Sequence, residues 1–312
     1  MIMTWPAAHL LLRLLCGLIA SFYVASTAAR AQELFRTPAD AATALVTALR
    51  EGKSARISSI LGISGRDILS SGDEVRDAAE RQRFVAAYDS RHSIVEAGRT
   101  ATLLVGTDSF PFAIPIFEAR GGWKFLVDAG RRELLARRIG KNELDAIQAS
   151  LAILDAQFEY ASQGHDGRSP GIYAQRIISQ PDKHDGLYWP TGPGEQQSPL
   201  GEFAAQAATE GYEASQVRQP YHGYYFKILR KQGPAADGGT LDYVAGGNMI
   251  GGFAVLAYPA TYARSGITSF LVNHAGTVFQ KDLGPNTPFI AARMNSFNPD
   301  RSWEKVTPEK AQ

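Results

Sequence analysis

Cysteine is almost missing from this sequence. Among 312 residues there is one, Cys16, and it lies in an N-terminal stretch set apart from the rest. Past that stretch the chain has no thiol, so internal disulfides and cysteine chemistry are excluded and stability must come from packed cores. A surplus of one charge is missing as well. The chain's 32 basic and 31 acidic residues nearly cancel, and two of the arginines, Arg13 and Arg30, precede residue 32. That balance gives no electrostatic case for nucleic acid or for an acidic membrane surface. Long apolar runs are scarce. The one candidate, "LLCGLIASFYVA" from Leu14, follows Arg13 and runs into small residues ending at Ala29 and Ala31. Its pattern is that of a signal peptide over residues 1–31, cleaved between Ala31 and Gln32, which predicts a periplasmic or secreted protein. The run is shorter than the roughly 20 apolar residues of a spanning helix. A retained anchor is the alternative, and no transmembrane span is expected in the mature chain. Leu15 is bulky where a lipoprotein signal needs a small residue before Cys16. The P-loop, the dinucleotide glycine pattern and the EF-hand loop are also missing. The glycine pairs of "VAGGN" and "MIGGFA" read as turns and bulges.

What is present divides in two. Thr37, Pro38 and Asp40 open a helix whose buried face is Ala41, Leu45, Ala48 and Leu49, with Gly52 as its stop. "ISSILG" predicts a short helical turn, and "SSGDEVRDAAERQRFVAAY" a helix with Ser71 and Glu74 at capping-box spacing. "TATLLVG", "FPFAIPIFEA" and "GWKFLVDAG" then read as strands, the last two joined by a turn at Arg120–Gly122. These elements define a first α+β domain, residues 32–138. "RRELLARR" reads as a solvated face. From Asn142 as cap, the stripe Leu144, Ile147, Leu151, Leu154 and Phe158 predicts an amphipathic helix ending at Gly164. An irregular segment covers about residues 165–220, and five β-rich runs from "GYYFKILRK" to "GTVFQKDLG" predict an antiparallel meander covered by that helix. Helix and meander make a second domain, residues 139–312. The fold class is therefore α+β.

The stretches "FRTPADAATALVTAL", "RRIGKNELDAIQA", "GIYAQRIIS", "HDGLYWP", "GYYFKIL", "MIGGFAVLAYPATY" and "VNHAGTVFQKDLG" resemble the bacterial family called domain of unknown function 2950. The resemblance runs through almost the whole mature chain, and it implies an exported protein without an assigned activity. The C-terminal half, a helix followed by an irregular segment and strands, is also similar to type IV pilin-like head domains. It departs from them in having no membrane-length apolar stretch ahead of Asn142.

One constellation invites chemistry. His165-Asp166-Gly167 and His184-Asp185-Gly186 double a His-Asp-Gly triplet, and two histidines with two carboxylates could bind calcium or another divalent metal, or act as acid and base. The spacing matches no ligand motif, and Asp-Gly suits turns for backbone reasons. No catalytic or cofactor-binding residue is therefore assigned, and His165, Asp166, His184 and Asp185 stand as the metal candidates. His92, His222 and His274 read as scattered surface histidines. Tyr221, Tyr224, Tyr225 and Phe226 open a strand, and such aromatics serve sheet cores as well as sugar-binding faces. The expectation is an uncharacterised periplasmic or cell-envelope protein that binds or scaffolds, with an unknown envelope protein or ligand as partner. The alternative is an exported, metal-assisted enzyme built on the doubled triplet.

Overall fold

A computed structural model describes residues 32–306, apart from residues 63, 64, 66, 67, 69, 193 and 214–218. The expected signal segment, residues 1–31, lies outside the described residues.

Helix α1, Pro38–Arg50, starts as its sequence demands: the Thr37 hydroxyl accepts from the Asp40 amide at 3.0 Å and Pro38 takes the first turn. It buries Ala41, Ala42, Leu45, Val46 and Ala48. Helix α2, Ser54–Leu61, follows. The cap of α3, Glu74–Ser90, corrects the expectation for Ser71. Asp73 caps it by accepting from the Arg76 amide at 3.0 Å, while the Ser71 hydroxyl accepts from the Asp73 amide at 3.2 Å. The serine positions the cap instead of being it.

Strands β1 (His92–Ala97), β2 (Thr100–Val105), β4 (Ile116–Ala119) and β5 (Gly122–Phe125) form an antiparallel sheet in that order, with β3 (Phe110–Pro111) also paired to β2. Along β2 every second side chain, Ala101, Leu103 and Val105, is buried, which is the alternation a half-covered sheet produces. The β4–β5 turn falls where Gly121 and Gly122 were expected to make it. Gly122 is required there, because at φ 148° a β-carbon would meet the Phe35 carbonyl oxygen at 2.5 Å.

The helix expected to start at Asn142 starts fifteen residues earlier. Helix α4 runs unbroken from Val127 to Ser162. Asn142 is fully buried inside it, and its amide donates to the Ser265 carbonyl at 2.9 Å instead of capping. The boundary drawn at residue 138 thus falls within one helix. The buried stripe is also rotated from the expected one. Leu144 and Phe158 are exposed, 67% and 45%, whereas Asn142, Ala146, Ala149, Ser150, Ile153, Ala156, Gln157 and Tyr160 face inward. Small residues let the helix lie close on the sheet, and the three polar ones reach fixed partners. Gln157 is tied twice to the Ala174 backbone, at 2.8 and 2.9 Å, and Ser150 donates to the Ala146 carbonyl at 2.8 Å. Ile147, Leu151 and Leu154 form the flank of this contact.

The sheet under α4 is antiparallel throughout, in the order β14 (Glu304–Val306), β13 (Val278–Asp282), β12 (Thr268–Asn273), β11 (Ala254–Pro259), β6 (Tyr224–Leu229). The expected meander is interrupted. "TLDYVAG" leaves the sheet and supplies β8 (Leu241–Asp242) and β9 (Val244–Ala245), which pair with β7 (Lys231–Gln232) and β10 (Asn248–Met249). Tyr243 between them is fully buried and donates to the Gln232 side chain at 2.8 Å, so the excursion is packed down and β11 closes directly on β6. Helices α5 (Gly201–Thr209) and α6 (Thr287–Arg293) complete the fold. Lys227 caps α6, with its ammonium within 2.8–3.3 Å of the Ala291, Ala292 and Met294 carbonyls. One apolar core forms around α1 and the first sheet, and a second between α4 and the large sheet. The architecture is α+β. Among the described residues no helix is long and apolar enough to cross a membrane.

Candidate functional site

The doubled triplet folds into a packing unit. His165 sits 4.1 Å from the Tyr160 ring, nearly parallel to it, and approaches the Tyr160 carbonyl at 3.1 Å. His184 stacks on Trp189 at 4.3 Å, and the edge of Trp189 meets His165 at 5.5 Å. The Tyr160 hydroxyl donates to the His184 carbonyl at 2.6 Å. Burial lowers the His165 imidazole below its ordinary range, and the neighbouring His184 pushes the same way. The carboxylates serve the backbone: Asp166 accepts from the His184 amide at 3.0 Å and Asp185 from the Gln180 amide at 2.8 Å. Gly186 lies so close to the chain at Ile178 that a β-carbon would meet that residue's carbonyl carbon at 2.6 Å. Among the described residues no three histidine or carboxylate side chains gather tightly enough to hold a metal ion.

A second histidine–carboxylate group joins the two cores, and no motif marks it. His222, at φ 48°, presents one ring nitrogen to Asp145 at 2.9 Å and the other to Glu210 at 2.5 Å, with its ring stacked on Tyr221. Arg76 of α3 approaches the same Asp145 oxygen at 3.1 Å. The contacts of Arg76 and His222 with Asp145 are close but poorly aligned as hydrogen bonds, so charge carries them more than direction. Burial alone would raise the Asp145 carboxyl. The close His222 ring, followed by the charges of Lys141 and Arg76, outweighs it and holds the group at about 2. Behind this lies Asp73, 1% exposed, which accepts from the Tyr212 hydroxyl and the Gly223 amide, both at 2.8 Å, while capping α3. Burial, then the Asp73 charge, push the Tyr212 phenol far above its usual range. His222 is therefore not the isolated surface histidine expected. Its partners lie in separate elements and meet only in the fold.

A concave feature lies beside this joint. A cleft of about 550 Å³ opens between residues 175–181, α5 and the free edge of β6, with Ala149 and Ile153 of α4 behind it. Ile177, Tyr188, Phe203, Tyr221, Tyr225 and Phe226 make it largely apolar and aromatic. Part of the aromatic run at 221–226 is thus core and part is wall. Tyr224 is fully buried, its hydroxyl donating to the Thr268 carbonyl at 2.8 Å, while Tyr221, Tyr225 and Phe226 are half-buried against the cleft. Burial, then the Glu210 and Asp145 charges, push the Tyr221 phenol up to about 12, so it stays a neutral hydrogen-bonding group.

Gln175 and Arg176 also line a second, polar pocket of about 300 Å³, completed by Arg168, Arg230 and Asp185. Arg176 pairs with Asp185 at 3.5 Å. Of the four metal candidates, only Asp185 reaches this lining. The three arginines are spread over residues 168–230 and carry no motif, so the sequence does not mark them as a group.

A long helix laid on an antiparallel sheet, with an aromatic cleft at the sheet's edge, defines the class of structure. The chain belongs to DUF2950, a family of proteins of unknown function, whose match covers residues 32–306. Neither a curated protein nor a solved structure matches it, so no match supports the likeness to pilin-like heads.

Proposed function

We propose that this is an exported protein of the cell envelope that works by binding, not by catalysis. The observation that carries the reading is the cleft between residues 175–181, α5 and β6. At about 550 Å³ it has the size of small-molecule sites, which run roughly 300–1,000 Å³ and are mostly apolar with a few polar groups. The histidines and carboxylates of the doubled triplet support the same reading, since they hold turns and rings in place. Export rests on the apolar run from Leu14 and the small residues before Gln32.

The test is titration of the purified protein with the neutral fluorophore N-phenyl-1-naphthylamine. The expected result is saturable binding at one site, weakened at least tenfold when Ala204→Trp fills the cleft. Phe203→Ala, which takes one wall away, should weaken it by a smaller factor. Thermal melting checks that both variants fold. No saturable binding, or binding that both folded variants leave unchanged, overturns the proposal.

A further inference from the structure

The polar pocket bears on what the cleft would hold. It gathers three guanidinium groups and a single carboxylate. Arg176 is the arginine that pairs with Asp185, and its side chain is still 53% exposed. Arg168 and Arg230 have no carboxylate partner among the described residues, so the pocket holds an excess of two positive charges. In a chain whose charges otherwise nearly cancel, a local excess of that kind is a feature of the site. Guanidinium is planar and weakly hydrated, and its fork of donors matches carboxylate, sulfonate and phosphate oxygens in pairs. The two cavities share Gln175 and Arg176 as a common wall. One molecule can therefore lie with an apolar part against the tyrosines and an anionic group among the arginines.

We infer that the ligand is an amphipathic organic anion, its apolar body in the aromatic cleft and its acidic head held by Arg168, Arg176 and Arg230. The inference rests on the binding reading above and adds the chemistry of the ligand to it. Asp185 has a part in this. Its carboxylate, 3.5 Å from Arg176, offsets one of the three positive charges, so Arg168 and Arg230 supply the excess that attracts the head and Arg176 adds its donors at the wall the two cavities share. A purely apolar ligand would leave those guanidinium groups idle, and a bare inorganic anion would leave the aromatic walls idle.

Two probes separate the inference from the reading beneath it. N-phenyl-1-naphthylamine and 8-anilinonaphthalene-1-sulfonate share one aromatic body, and only the second carries a sulfonate. The sulfonate should bind at least tenfold more tightly. Arg168→Gln combined with Arg230→Gln should abolish that preference while leaving the neutral probe's affinity within twofold. Equal affinity for the two probes, or a preference that survives the double substitution in a folded protein, overturns the ligand class and leaves the binding reading standing. Binding of neither probe overturns both. Displacement of the sulfonate by monomeric dodecanoate points to a free amphiphile, and displacement by phosphatidylglycerol vesicles alone points to a membrane lipid; either upholds the class.

Discussion

Two groups of histidine and carboxylate stand out among the described residues, and they exchange the parts their sequences suggest. The doubled His-Asp-Gly is conspicuous and local, yet its side chains are spent on rings and backbone amides around Trp189. The group at His222 is assembled from α3, α4 and the loop after α5, and there charges of both signs meet at close range. Neighbours in sequence share a turn and are recruited to shape it. Residues brought from afar meet where elements dock, and at docked surfaces an uncompensated charge is costly enough to need a partner.

The contrast can be broken most forcefully at Asp73. Asp73→Ala removes a helix cap and leaves the Tyr212 hydroxyl and the Gly223 amide without their acceptor. Lost caps cost about 1 kcal/mol and each stranded buried donor about 1–3, so chemical denaturation should show a loss of about 3–7 kcal/mol. A loss below about 1 kcal/mol would mean that the two cores are not joined through this carboxylate. Asp145 comes next. Its carboxyl is held at about 2, below its ordinary 3.8, so its contribution is present above pH 4 and is lost as pH falls toward 2. Asp145→Asn should flatten the acid limb of the melting-temperature profile in that window, and an unchanged slope would argue against the ion pairs drawn here. On the other side of the comparison, His184→Ala removes one stacked ring and should cost about 1 kcal/mol, with no change in that acid limb. Least of all is expected from metals. Calcium, zinc or manganese should leave the melting temperature within about 1 °C, whereas a bound ion at a hundred times its dissociation constant would add about 2.7 kcal/mol. A shift lost in Asp166→Asn or Asp185→Asn would return the doubled triplet to chemistry.

Much of the fold was legible because it is written locally. The cap at Thr37 and the turn at Gly121 and Gly122 are each set by residues a few positions apart. The misplaced start of α4 has the opposite cause. Asn142 has the composition of a cap, but its partner is Ser265, 123 residues away, and a distant acceptor overrode a local preference. The buried stripe was misread in the same way. Leucines mark an apolar face in sequence, yet close approach to the sheet needed alanine, serine and glutamine at 146–157. At the candidate site, "HDG" was legible as a turn, and Asp185 came with it. The arginines at 168, 176 and 230 share no motif, so only the fold shows that they face one another.

The polar stripe of α4 has a consequence for how the chain is made. Asn142 must wait for Ser265, 123 residues later, and at synthesis rates of about 5–20 residues per second that delay is about 6–25 s. The first sheet ends at Phe125, so the strands of that unit are all complete before the wait begins. The helix is some 54 Å long, at about 1.5 Å per residue over its 36 residues, and Asn142 lies in its front half. Gln157, in the rear half, meets Ala174 only 17 residues on. Until the large sheet is made, a stripe of small and polar residues leaves little apolar surface on that helix, where a leucine face would leave a broad one open to wrong contacts.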